Sequence, residues 1–137
     1  MEFNEKIAKN FMIPPKDGLA GYLGFNISDA SLGKMTGYFD VKEELLTPFG
    51  NMHGGVLSAF CDHMLGCVCY PAMKKGQWAA TTEFKINLMR PVSEGRVIAN
   101  AQLVNMGRTM AVVKIDFTNN DRFVATAQGT VTIVDPK

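Results

Sequence analysis

Asn51-Met52-His53-Gly54-Gly55-Val56-Leu57-Ser58-Ala59-Phe60-Cys61-Asp62-His63-Met64-Leu65-Gly66-Cys67-Val68-Cys69-Tyr70 is the stretch that decides the fold. Val56 to Tyr70 holds no proline, is long enough for about four helical turns, and ends at Pro71. Val56, Leu57, Ala59, Phe60, Cys61, Met64, Leu65, Val68 and Tyr70 surround that helix almost completely. A helix apolar on nearly all sides is buried on nearly all sides, so the rest of the chain must wrap around it. The exception is Ser58, Asp62 and Gly66, spaced i, i+4, i+8 on one face, with His63 beside them. A carboxylate inside a buried helix is costly unless it is paired, hydrogen-bonded or open to a cleft. No Lys or Arg lies within one helical turn of Asp62. It is therefore either a hydrogen-bonded or solvent-facing structural residue or a functional carboxylate.

The helix start supplies a second chemical group. Backbone N–H groups at a helix N-terminus are unpaired, and the dipole favours negative charge there. The pair Gly54-Gly55 lets a ligand approach the main chain closely, although an ordinary tight turn would use the same residues. A carbonyl polarised at this point and a carboxylate about two turns further on form a candidate hydrolytic pair.

Outward from the helix, Leu45 to Gly55 reads as a loop. Glu2 to Met12 reads as a short amphipathic helix stopped by Pro14-Pro15. Tyr22 to Ser28 and Lys34 to Val41 read as strands joined by a turn over Ser28 to Gly33. After the helix come four runs rich in Val, Ile, Thr and Phe: Ala79 to Met89, Arg96 to Val104, Thr109 to Thr118 and Phe123 to Val134. Their separators, Pro91 to Gly95, Asn105 to Gly107 and Asn119 to Asp121, are short turn chemistry, which predicts antiparallel neighbours. The plan is α+β: two strands, one long helix, then four strands in one antiparallel sheet.

The 137 residues suit a single domain over 1–137, and 47% hydrophobic content is enough for a core without disulfide or metal staples. A net charge of +1 gives no electrostatic reason to expect nucleic acid or an anionic membrane. The first ten residues mix acidic and basic side chains with no apolar run behind them, unlike a signal peptide. Val56 to Pro71 is too short and too polar to span a bilayer. Cys61, Cys67 and Cys69 are crowded into one segment, as free thiols in a reducing cytoplasm would be.

The run from Gly50 to Gly55, with Asp62 eight residues after Gly54, resembles the phenylacetate-type (PaaI-like) branch of the hotdog thioesterases. Thr81 to Pro91 is similar to that family's strand after the central helix. Gly107-Arg108-Thr109 and Ala125 to Thr130 are similar to its last two strands. The resemblance covers Tyr22 to Val134 and implies a sheet wrapped around the helix. It also implies two subunits joined edge to edge, active sites at the dimer interface, and dimers that pair into tetramers. The implied reaction is acyl-CoA thioester hydrolysis with no cofactor beyond the CoA of the substrate. By position, the Gly54 N–H would meet the carbonyl oxygen and His53 would help hold the loop. Asp62 of the partner subunit would act as general base or nucleophile, and Thr81 would orient water. Many members carry Asn or Gln seven residues before the first glycine, where this chain has Thr47; Asn51 is close by in sequence.

Lysine and arginine positions complete the candidate substrate set. On strand Ala79 to Met89 simple alternation puts Phe84, Ile86 and Leu88 on one face and Thr81, Glu83, Lys85 and Asn87 on the other. Lys85, Arg90, Arg96 and Arg108 are candidates for CoA phosphates, and Gly107-Arg108-Thr109 for main-chain contact with CoA. Thr47, Asn51 and Gly55 belong to the same binding set. His63 and Cys67, at i and i+4, are a possible nucleophile pair, with buried core thiols as the plainer reading. Two histidines and a cysteine cluster on one helix make a complete zinc site an unexpected geometry, so no metal is expected. Met52, Met64, Met89, Met106 and Met110 are either core filling or a pliable acyl tunnel. The alternative function is a non-catalytic acyl-CoA binding or sensing protein on the same fold. A third, an acyl-carrier-protein dehydratase, would need His53 opposite Asp62.

Overall fold

The computed structural model describes residues 2–137. Its elements are α1 (Glu5–Phe11), α2 (Gly18–Leu23), β1 (Asn26–Ser31), β2 (Lys34–Asp40), α3 (Gly54–Cys67), β3 (Trp78–Leu88), β4 (Arg96–Met106), β5 (Met110–Asn119) and β6 (Arg122–Val134). Six antiparallel strands form one sheet in the order β1-β2-β4-β5-β6-β3, with α3 packed on its concave face against β2 to β6. This is the hotdog arrangement.

Two features let the sheet close on the helix. Leu57, Phe60, Cys61, Met64 and Leu65 of α3 are buried against Phe39, Val97, Ala99, Val113, Ile115, Phe117 and Val131 of the sheet. Glycines on the strands then remove side chains where the helix comes nearest. A Cβ at Gly37 would lie 2.6 Å from Met64 Sδ, and one at Gly129 would lie 3.1 Å from Leu65 Cδ1. Phe25, Phe39 and Phe60 meet with ring centroids 4.9–5.4 Å apart and anchor the β1–β2 end of the core.

The N-terminal expectations need correction. The first helix is confined to Glu5–Phe11, capped by Asn4, whose side chain accepts from the Ile7 N–H. Tyr22, expected to begin a strand, lies in the helix α2. Gly24, at φ 73°, ends α2 in the left-handed conformation and returns its N–H to Ala20 O. The Ser28-to-Gly33 turn shrinks to Leu32-Gly33, because Asp29, Ala30 and Ser31 pair with Thr36, Met35 and Lys34. A polar run reads as a turn in sequence, yet an edge strand exposed to water accommodates it.

The Pro91-to-Gly95 separator is the larger correction. Its length predicts neighbouring strands, but among the described residues β3 pairs only with β6, and β4 lies between β2 and β5. The connection crosses the open end of the curled sheet. Buried Val92 accepts there from the Met52 N–H at 2.6 Å, which ties the crossing to the loop before α3. Strand adjacency is a tertiary property that separator length alone does not encode. The Asn119-to-Asp121 turn is a tight hairpin, with Asn120 and Asp121 at φ 50° and 61°.

Candidate active site

The segment before α3 folds back on itself. Thr47 N–H donates to Asn51 O at 2.7 Å, Gly50 N–H to Thr47 O at 2.9 Å, and Phe49 N–H to the Thr47 hydroxyl at 3.2 Å. The Thr47 hydroxyl in turn donates to Asn51 Oδ1 at 3.3 Å. His53 N–H donates to Leu45 O, so His53 fastens the loop through its main chain, while its imidazole is exposed. The helix begins at Gly54, two residues earlier than the apolar pattern suggests, with no side-chain cap. Among the described residues, neither Gly54 N–H nor Gly55 N–H has a protein acceptor. These are the free donors expected of a helix start.

Gly54 opens onto a cleft of about 290 Å³ whose polar members are Asn51 and Arg90 and whose apolar walls include Met52, Leu57, Leu88 and Met89. A Cβ on Gly54 would lie 2.5 Å from Leu88 Cδ1, so the absent side chain is what keeps the N–H accessible. Leu57, Leu88 and Val92 were not singled out as cleft residues in the sequence. Their only signal was apolar character next to the glycine pair and inside a polar separator.

Asp62 sits on the one stripe of α3 that the sheet does not cover. It is exposed, as is Gly55, while Ser58, Ala59 and Gly66 are half-buried. No hydrogen bond or ion pair to Asp62 occurs among the described residues. Its exposure answers the cost of a carboxylate on an apolar helix without any partner. Eight residues separate it from Gly54, about 12 Å at 1.5 Å per residue, so one water cannot touch both groups of one chain.

Thr81 departs from simple alternation. The β3–β6 register slips between Thr81, opposite Val131, and Glu83, opposite Thr130. The bulge at Thr82 places Thr81 on the helix-facing side together with Phe84, Ile86 and Leu88, not with Glu83, Lys85 and Asn87. Helix and strand run antiparallel: Gly54 abuts Leu88, and a Cβ on Gly66 would lie 4.0 Å from Ala79 Cβ. Asp62 and Thr81, one helical turn before Gly66 and two strand residues after Ala79, therefore occupy the same level.

The predicted residues thus divide into two groups at opposite ends of one chain. Thr47, Asn51, His53, Gly54, Gly55 and Arg90 lie at the start of α3. Asp62 and Thr81 lie at the other end, as does the turn Gly107-Arg108-Thr109. That turn precedes Met110, which pairs with Thr132, which in turn faces Ala80. Gly107 N–H is used by Met110 O at 2.8 Å, whereas Thr109 O accepts from Ile133 N–H at 2.9 Å.

The arginines differ in availability. Arg96 pairs with Asp40, at 2.9 and 3.3 Å, on the exposed surface and stacks 3.9 Å over the Tyr38 ring. Its guanidinium holds the Asp40 carboxyl below the usual range. Arg90 Nη1 donates to Phe123 O at 2.6 Å with the side chain still exposed, and Arg108 is exposed in its turn.

The second helix pair is a packing contact. Cys67 Sγ lies 3.5 Å from His63 Nε2, but burial pushes the Cys67 thiol up to about 12 and pushes His63 down. Cys61 and Cys69 are likewise buried, free and raised to about 12. Such thiols are protonated and unreactive near neutrality. The methionines do not form one tunnel: Met64 is in the core, Met110 is exposed, and only Met52 and Met89 line the cleft at Gly54.

Comparison with known proteins agrees with this frame. The thioesterase superfamily model matches residues 49–125. The chain is 26% identical over 102 residues to the 1,4-dihydroxy-2-naphthoyl-CoA hydrolase of Listeria monocytogenes, covering 74% of this chain and 83% of that one. A thioesterase structure from Haemophilus influenzae superposes with TM-score 0.88 at 22% identity, covering 98% and 96% of the two chains. A Streptococcus mutans protein bound to acetyl CoA superposes with TM-score 0.74 at 26% identity, covering 82% and 91%. The matched span holds the glycine pair, the whole of α3 and the bulged strand β3, and on that match the chain belongs to the thioesterase superfamily.

Proposed function

We propose that this chain hydrolyses acyl-CoA thioesters to a free acid and CoA at sites shared between two copies. The observation that carries the reading is the division of the site residues into two groups at the ends of α3 and β3. Gly54, whose N–H is free, and Asp62 lie about 12 Å apart along the axis of α3 in one chain. An antiparallel two-fold pairing of β3 with β3 would bring the Leu88 end of one copy to the Trp78 end of the other.

Several features favour that pairing. β3 is an eleven-residue edge strand with one unpaired side. Long exposed edges are normally protected, and this one carries the exposed apolar side chains Trp78 and Leu88, with exposed Met89 directly after it. The uncovered stripe of α3 lies beside the same edge. In the dimer the Gly54 N–H would hold the thioester carbonyl oxygen, and the partner's Asp62 would deprotonate water or attack directly, with the partner's Thr81 orienting the water. Arg90 and Arg108, the exposed candidates, would meet CoA phosphates. The names of relatives that act on or bind CoA compounds support this substrate class.

The test is thiol release from acyl-CoAs of varied chain length and aromaticity. Turnover of some members is expected. Binding of CoA esters without turnover of any would replace this reading with an acyl-CoA sensor. Light scattering should give a dimer or dimer of dimers of the 15.0 kDa chain, in a reducing, cytoplasm-like buffer.

A further inference from the structure

We propose that the side-chain amide of Asn51 is the second donor to the thioester carbonyl oxygen, and that Thr47 is the residue that points it. The inference rests on the thioesterase reading above and extends it to a residue pair. A tetrahedral oxyanion is best held by two donors, and the cleft at the free Gly54 N–H is also lined by a side-chain amide, that of Asn51. Asn51 is half-buried and lines that cleft. Arg90, the other polar wall residue, holds Phe123 O through Nη1, and its remaining donors are kept for CoA phosphate in the reading above.

The amide orientation follows from donor and acceptor inventory. The Thr47 oxygen already accepts from Phe49 N–H, and its single O–H needs an acceptor. Asn51 Oδ1 is that acceptor, at 3.3 Å. With Oδ1 held toward Thr47, the amide presents Nδ2 as its remaining polar atom, and Nδ2 has no acceptor among the described residues. The main-chain bond from Thr47 N–H to Asn51 O fixes the two residues on one rigid turn. A donor held in this way costs little reorganisation when charge develops on the carbonyl oxygen. Thr47 does not touch substrate; it acts by fixing which end of the amide faces the cleft.

The experiment uses Asn51→Ala, the isosteric Asn51→Asp, Thr47→Val and Thr47→Ser in the full-length protein, assayed with hexanoyl-CoA and benzoyl-CoA. Asn51→Ala should lower kcat roughly 100-fold with KM little changed. Asn51→Asp, which replaces the donor with a repelling oxygen, should fall at least as far. Thr47→Val should lose part of kcat, Thr47→Ser should restore it, and Thr47→Val added to Asn51→Ala should cost little more. Unchanged kcat in Asn51→Asp, or a Thr47→Val loss that Thr47→Ser does not restore, would overturn the proposal. A spectroscopic arm separates this idea from the parent reading. In the Asp62→Asn background, the carbonyl stretch of bound hexanoyl-CoA should move to lower wavenumber, and Asn51→Asp should cancel most of that shift. Wild-type silence in thiol release would reject the thioesterase reading, while a carbonyl shift indifferent to Asn51 would reject this one.

Discussion

Gly54 and Leu88 are in contact across the cleft, with only 2.5 Å between Leu88 Cδ1 and the place a Gly54 Cβ would occupy. Leu88 is half-exposed at the end of β3, and the atom met is the tip of a flexible side chain. Gly54→Ala should therefore change stability by less than about 1 kcal/mol. The displaced leucine and the added methyl would narrow access to the N–H, so kcat/KM should fall roughly 10- to 100-fold. Thiol-release kinetics beside thermal melts check both halves. Wild-type kcat/KM in a folded Gly54→Ala chain would remove Gly54 from the site.

Asp62→Asn should abolish turnover with the melting temperature nearly unchanged, because the carboxylate is exposed and has no partner among the described residues. Mixing tests the shared site more sharply. Asp62→Asn and Gly54→Val subunits, each inactive alone, should regain about a quarter of wild-type activity when refolded together at equal amounts. Half the dimers are then mixed, and each mixed dimer has one intact site of two. A mixture that stays inactive would place both groups of each site on one chain.

Gly129 poses a different steric problem from Gly54. A Cβ there would lie 2.7 Å from both Glu83 O and Phe84 Cβ, and the backbone oxygen has no room to move without disturbing the β3–β6 pairing. Gly129→Ala should destabilise by about 1–3 kcal/mol. The expected sign is a lower urea midpoint with unchanged slope. An unaltered midpoint would mean that the strand pair yields more readily than its geometry suggests.

The buried thiols and His63 set the pH behaviour. With all three thiols raised from 9.0 to about 12, a thiol-specific disulfide reagent at pH 8 should label the native protein slowly and the urea-unfolded protein fast. Cys67→Ala should keep its thioesterase activity; loss of activity with the fold intact would revive the Cys67–His63 pair.

His63 is lowered from 6.5, mainly by burial, with Asp62 opposing. The unfolded chain therefore binds this proton first as pH falls. The contribution of neutral His63 is present above about 6.5 and is lost as pH drops through the lower folded value. The urea midpoint should decline from pH 7.5 to 5, and His63→Asn should flatten that decline. An equal decline in the variant would assign the effect to other groups.

Much of this was legible from residue order. The helix was readable because Val56 to Cys67 is apolar around almost its whole circumference, a pattern that water tolerates only inside a curled sheet. Asp62 stood out as the carboxylate that interrupts it, and Gly54-Gly55 as the place where main-chain donors would be free. The strands β4 to β6 followed from β-branched runs between turn residues.

Other features depend on neighbours distant in sequence. That β3 pairs with β6 and leaves an edge open is decided by how the sheet closes on α3. That Thr81 faces the helix is decided by one bulged residue, Thr82, which reverses the face predicted by simple alternation. Asn51 and Thr47 look equivalent as polar loop residues until the turn joins the hydroxyl of one to the amide oxygen of the other. The sequence determined the central helix, the later strands and the chemical groups, because those depend on local periodicity and side-chain type. Only the tertiary structure decided which groups meet, because strand order, a single bulge and the 1.5 Å rise of a helix set distances that residue order does not contain.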